Sequence, residues 1–177
     1  MIRTLALVCC LAALPASADP GTARFSDKLL SLTQGVFCEV ESSESVEAPG
    51  TVAGRIELYD EVPEFQWLST RVPAVLGLSF GIKTQTDGRL LQGVVITLTH
   101  PPFKDSGATE QRYVTSMGGT GVSINAYTFD LPEEMVQGTW TFTATQGGRE
   151  IYKASFDVVS PLQEPEIAGS CGFAAIS

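Results

Sequence analysis

An all-β antiparallel sandwich is the fold class this sequence predicts, and three observations carry the expectation. Apolar and polar residues alternate with a period of two along most of the chain, turn residues recur at spacings of about 10 to 15 residues, and sustained helical periodicity is missing. That rhythm gives about eight strands. No long internal repeat, heptad or low-complexity tract interrupts it.

The chain starts MIRTLALVCCLAALPASADP, with one positive charge at Arg3, an apolar run from Leu5 to Leu14 and then Ala16-Ser17-Ala18. This is the pattern of a signal peptide cleaved after Ala18, so residues 1–18 are expected to be removed and the mature chain to be periplasmic or secreted. The apolar run is too short to anchor in a bilayer, and no other segment approaches about 18 apolar residues, so no membrane span is expected. Lipid attachment at Cys9 or Cys10 does not suit the run, which continues past both.

Residues 19–34 read as a leader, and GTARFSDKLLSLTQ has room for a short helix. Residues 35–160 carry the sandwich and residues 161–177 form a C-terminal tail. GVFCEV is a short apolar strand. GTVAGRIELYD places Val52, Ile56 and Leu58 on one parity after a Pro49-Gly50 turn. VPAVLGLSFGIKTQ sets Ala74, Leu76, Leu78, Phe80 and Ile82 on one face, and QGVVITLTH follows Thr86-Asp87-Gly88 with Val94, Ile96 and Leu98 inward. TEQRYVTSM and GVSINAYTFDL are the next strands. LPEEMVQG is the one helical candidate beyond the leader, with Pro132 to open a turn, Glu133 and Glu134 at its positive end and Gly138 to close it.

The most regular pattern is GTWTFTATQGGREIYKASFDVV, residues 138–159. Trp140, Phe142 and Ala144 alternate with threonines, and Tyr152, Ala154, Phe156 and Val158 repeat the period after Gly147-Gly148. A strict two-residue loop would set Trp140 opposite Ser155, an apolar side chain against a polar one. The expected hairpin therefore has a three-residue loop, Gln146 to Gly148, with Phe142 opposite Tyr152 and Trp140 opposite Ala154. Trp140 is expected to be a core aromatic.

The formal net charge is −9, and removing Arg3 with the signal peptide leaves ten Lys and Arg against twenty Asp and Glu. Nucleic acid and anionic lipid are poor partners for such a surface. The cluster Glu39, Glu41, Glu44 and Glu47 has two readings, a solvated loop or a cation-binding site. Cys38 and Cys171 survive processing, and in an oxidising compartment they are expected to form one disulfide between the first strand and the tail. Two isolated cysteines and one histidine do not make a zinc set, and no Cys-x-x-Cys pair supplies redox chemistry. No cofactor is expected.

Gly77-Leu78-Ser79-Phe80-Gly81 satisfies Gly-x-Ser-x-Gly, and Ser79, Asp87 and His100 follow the chain order of a hydrolase triad. A nucleophile elbow needs a turn from strand into helix, whereas Ser79 sits mid-strand, so no catalytic residue is expected. Gly77, Ser79 and Gly81 instead leave one side of their strand bare, which suits either cover by the leader or a neighbouring loop, or a contact surface for a partner. His100, before Pro101-Pro102, is expected to end a strand. SMGGTGVS has the glycines of a phosphate loop without its lysine and helix, and reads as a hairpin tip.

Phe129 to Trp140, a strand, one helical turn and a Gly-x-Trp, resembles the crossover and closing hairpin of bacterial immunoglobulin-like domains. GVFCEV, VPAVLGLSFGIKT, ITLTHPP, the 138–159 hairpin and EIAGSCG together resemble an exported bacterial family of unknown function, from Gly35 to Gly172. The resemblance implies an immunoglobulin-like sandwich of a periplasmic protein and transfers no catalytic residues. A non-enzymatic module that binds an envelope protein is the expected function, with a small-ligand or cation binder as the alternative.

Overall fold

The computed structural model describes residues 23–172; the segment 1–18 expected to be a signal peptide, the first residues of the expected leader and the last five of the tail lie outside the described residues. The strands are β1 (Arg24–Phe25), β2 (Ser31–Cys38), β3 (Glu44–Glu47), β4 (Arg55–Leu58), β5 (Arg71–Pro73), β6 (Leu78–Gln85), β7 (Leu90–Thr99), β8 (Glu110–Gly118), β9 (Ser123–Thr128), β10 (Gly138–Gln146) and β11 (Arg149–Val159). Single 3-10 turns lie at Pro132–Glu134 and Pro161–Gln163, and a short helix, α1, spans Pro165–Ser170.

Two sheets face one another in a largely antiparallel sandwich. The larger runs β1-β11-β10-β7-β8, with β5 added in parallel along β11, and the smaller runs β2-β6-β9. β3 and β4 form a separate hairpin. The period of two in the sequence becomes two inner faces: Trp140, Phe142, Ala144, Val94, Ile96 and Leu98 from one sheet meet Val36, Leu78, Phe80 and Ile82 from the other, all buried. Phe80 sits at the centre, edge-on to Trp140 at 5.6 Å, Phe142 at 6.0 Å and Phe156 at 5.1 Å between ring centroids. Such edge-to-face pairs add to the roughly 1.5–3 kcal/mol that burial of one large apolar side chain contributes.

The closing hairpin corrects its expected register. Gln146 pairs with Arg149, so the loop is Gly147-Gly148 alone, both left-handed at φ 57° and 76°. Between Ala144 and Thr145 the register shifts and leaves Ile151 as an extra residue in β11, so that Trp140 faces Phe156, Phe142 faces Ala154 and Ala144 faces Tyr152. The apolar face is continuous as expected. The parity change is made by a bulge inside the strand, which buries Ile151 and Tyr152 together, rather than by a third loop residue.

Three other elements depart from the sequence reading. The leader holds no helix within its described residues; β1 pairs with β11, and Ser31 to Gln34 pair with Gln85 to Ile82 of β6. A helix this short gains little from propensity, and the sheet ladder outweighs it. The run expected as one strand from Val72 to Gln85 is cut by a turn at Val75–Gly77, where Leu78 N–H donates to the Val75 carbonyl and Gly77 has φ 72°. Leu76 rides on that turn and is exposed, while β5 and β6 join different sheets. In residues 50–60 only Arg55–Leu58 is strand, because Thr51 to Gly54 form the hairpin turn.

Cys38, ending β2, is bonded to Cys171 after α1, with Cα atoms 5.2 Å apart and a sequence separation of 133. For a loop of that size the chain-entropy model assigns roughly 4–5 kcal/mol of stabilisation. The tail is thus held on the sandwich.

Candidate functional site

β8 and β9 are consecutive in sequence but belong to different sheets, each as its last strand. Gly118 ends β8 and Gly119 follows it, at φ 92° and 85°; SMGGTGVS, expected as a hairpin tip, is instead a corner between the two sheets, because β8 and β9 do not pair with each other. Because the chain crosses from one sheet to the other here, the sandwich is open along this border. The β3–β4 hairpin lies over the opening: Arg112 N–H donates to the Gly50 carbonyl at 2.7 Å, and Val52 N–H donates to Gln111 Oε1 at 3.0 Å. Beneath it is a cavity of about 420 Å³ whose inner wall includes Leu98 and Phe142. A second hollow, about 670 Å³, adjoins it and shares Arg55, Glu57, Tyr59, Asp130 and Glu134.

Polar side chains line the cavity at positions whose parity points inward. Gln111 and Tyr113 come from β8, Asn125 and Tyr127 from β9. Gln111 and Asn125 are each 4% exposed. The Gln111 oxygen is taken by Val52, and Asn125 Oδ1 accepts from the Tyr113 hydroxyl at 3.2 Å. Among the described residues Gln111 Nε2, Asn125 Nδ2 and the Tyr127 hydroxyl have no hydrogen-bond partner. Tyr127 faces the Gln111 amide and the Glu134 carboxylate without hydrogen-bond geometry to either. Glu134, also buried, accepts from the backbone N–H of Asp130 at 2.9 Å and of Leu131 at 3.0 Å, so its carboxylate closes the turn that Pro132 opens.

The hollow beside the cavity is acidic, with Glu39, Glu41, Glu57, Asp130 and Glu134 around it. Arg55 is committed to Glu57 at 2.6 Å, and that bond, with one from Ser42, holds the Glu57 carboxyl below the usual range. Asp130 is pushed the other way by burial and by the charges of Glu134 and Glu39. Burial also raises the phenols of Tyr113 and Tyr127, which stay neutral donors. The arrangement can bind through hydrogen bonds and negative charge.

A family model described as a domain of unknown function (DUF3859) matches residues 26–158. The chain belongs to this family. Among solved structures the DUF3859 chain is similar to an immunoglobulin-like protein from Pseudomonas aeruginosa, with 24% identity, 80% of this chain and 100% of that one covered, and a TM-score of 0.49. No curated protein matches it.

The residues singled out from sequence fall in different places on the DUF3859 domain. Cys38 and Cys171 form the expected disulfide. Gly77 lies in a turn, Ser79 is fully buried with its hydroxyl 2.7 Å from that of Thr128, and Gly81 is buried against β9. The bare face is covered by the chain itself: Phe65 packs on Gly35 and Phe37, the β2 neighbours of Gly81 and Ser79, and Lys83 lies over its ring. The covering element is therefore the loop through Phe65 and Trp67, which leaves Ser79 and Gly81 buried, while Gly77 stays partly exposed in its turn beside Glu39. Among the described residues the Ser79 hydroxyl bonds to Thr128 and to no base. His100 is stacked between Phe103 and Trp140 at 4.0 and 4.6 Å, and Asp87 is paired with Arg89 at 2.8 Å.

The acidic run divides. Glu39 and Glu41 reach the hollow, while Glu44 and Glu47 stand exposed on β3 opposite Leu58 and Arg55. Among the described residues no group of three or more His, Cys, Asp or Glu side chains is placed to hold a metal ion. Trp140 is a core aromatic as expected, its indole N–H donating to the Val136 carbonyl at 3.0 Å. The cavity residues were missed in sequence, although one signal pointed to them. Gln111-x-Tyr113 and Asn125-x-Tyr127 put an amide and a phenol at core parity on two adjacent strands.

Proposed function

We propose that this DUF3859 protein is exported and serves as a non-enzymatic interaction module of the cell envelope, engaging another protein at the β8–β9 border. One observation carries the reading. Among the described residues β9 pairs only with β6, so one side of the last strand in its sheet is left without a ladder, next to exposed Val114 and Val122. Unpaired edge strands are templates for another chain, and extended segments commonly bind by adding a strand. Export is supported by the leading segment with its Ala16-Ser17-Ala18 site, and by a disulfide of the kind that persists in oxidising compartments.

The test is a photo-crosslinking residue at Val122, with Leu162 as an exposed control elsewhere, in the full chain expressed in its native host. A discrete crosslinked protein from Val122 and none from Leu162 is expected, on a mature chain starting at Asp19. Equal yields at both positions, or none at Val122, would count against the border.

A further inference from the structure

We propose that the cavity beneath the β3–β4 hairpin is a binding site for a small organic cation carrying a carbonyl or hydroxyl acceptor. This goes beyond the protein-interaction reading and does not depend on it. The cavity volume of about 420 Å³ lies in the range of small-molecule sites. Its make-up matches theirs as well, with apolar walls and a few fixed polar groups.

The acceptor follows from the deep end. Gln111 Nε2 and Asn125 Nδ2 are donors, and the Tyr127 hydroxyl a donor and acceptor, withdrawn from solvent and without a hydrogen-bond partner among the described residues; the unpaired Tyr152 hydroxyl stands near Asn125 without bonding it, and the two amide oxygens are already spent on Val52 and Tyr113. A buried donor without a partner costs about 1–3 kcal/mol, and a merely structural network would be closed or replaced by apolar side chains. Three such groups beside one cavity call for a ligand that supplies acceptors.

The positive charge follows from the mouth. Glu39, Glu57, Asp130 and Glu134 stand around the adjoining hollow, and the one cation lining it among the described residues, Arg55, is already bound to Glu57. An anionic ligand would meet that field unaided. An ammonium or guanidinium group would relieve it, with the rest of the molecule running inward past Tyr127. A bare metal ion does not fit, because the carboxylates do not converge on one point.

The experiment is an amide NMR titration of the oxidised mature chain with three probes of similar size, Nα-acetyl-lysinamide, Nα-acetyl-norleucinamide and N-acetylglutamate. Saturable shifts at Tyr113, Asn125, Tyr127 and Asp130 are expected with the cation, weaker ones with the neutral amide and none with the anion. Tyr127→Phe, which deletes only the unpaired hydroxyl, and Asp130→Asn should each weaken the cation about tenfold, as loss of one charge-assisted or buried hydrogen bond does. Neither should lower the thermal midpoint, which separates loss of binding from loss of fold. Ala53→Trp on the overlying hairpin should block entry. Equal binding of all three probes, no shifts in the cavity, or unchanged affinity in Tyr127→Phe would overturn the proposal.

Discussion

His100 lies flat on the indole of Trp140, their ring centroids 4.6 Å apart and their planes 25° apart, with Phe103 stacked on its other face. Its Nδ1 is 2.9 Å from the Pro101 carbonyl, which fixes Nδ1 as the protonated nitrogen, and Nε2 is buried without a partner among the described residues. Burial lowers the imidazole pKa against smaller opposing effects of Pro101 and Glu134. The folded state therefore holds His100 neutral, while the unfolded chain protonates near its ordinary value of about 6.5. Stability is fully present above that value and falls as pH drops through it toward the folded pKa. An NMR titration of this sole histidine should give a midpoint below 6.5, and His100→Phe should flatten the loss of unfolding free energy between pH 7 and 5. A midpoint at or above the ordinary value would show that the ring is not sealed.

Asp130 works with the opposite sign. Asp130 is exposed as a residue, but its carboxyl borders the acidic hollow, where partial desolvation and the charges of Glu134 and Glu39 raise it; its charge therefore opposes folding weakly at neutral pH, and the penalty fades as pH falls through the raised value. Asp130→Asn should be more stable than the parent at pH 7, with the advantage gone near pH 4. Denaturant titrations at both pH values check this, and equal midpoints at pH 7 would remove the claim.

Gly81 and Gly35 face each other across β6 and β2, yet their neighbours differ in kind. A Cβ on Gly81 would meet the Asn125 carbonyl oxygen, and Ala126 Cα and Cβ at 2.6 and 2.8 Å, all on the adjacent strand. One on Gly35 would meet the ring of Phe65, which belongs to a covering loop. Gly81→Ala should cost about 1–3 kcal/mol by prising β9 from β6, and Gly35→Ala should cost less because a loop yields more readily than a ladder. Thermal midpoints of the two variants decide the order.

Reducing the Cys38–Cys171 bond releases a loop spanning 133 positions in sequence. Loss of about 2–5 kcal/mol is expected, within the range seen when a native disulfide is removed from a small domain. The check is calorimetry with and without reductant, and Cys38→Ser/Cys171→Ser should match the reduced protein.

Legibility in the sequence followed the range of the interactions. Val94, Ile96, Leu98, Trp140 and Phe142 were placed inward by alternation alone, since a period of two needs no knowledge of the partner strand. The hairpin register was misjudged because a bulge at Ile151 and a longer loop change parity equally well, and local composition does not separate them. The turn at Val75–Gly77 was hidden by an alternation that happens to continue through it. The cavity was out of reach, because Gln111 and Asn125 become neighbours only through the splaying of β8 and β9 onto different sheets.

The bond between Cys38 and Cys171 also sets how the molecule answers to tension. A pull applied at the two ends of the chain would enter through β1 and β2, pass through the sulfur bridge and leave by the tail, bypassing the segment between the two cysteines. At roughly 3.3–3.6 Å per residue, some 450 Å of hidden length would stay locked as long as the bridge is oxidised. Both the open border and the cavity lie inside that shielded loop.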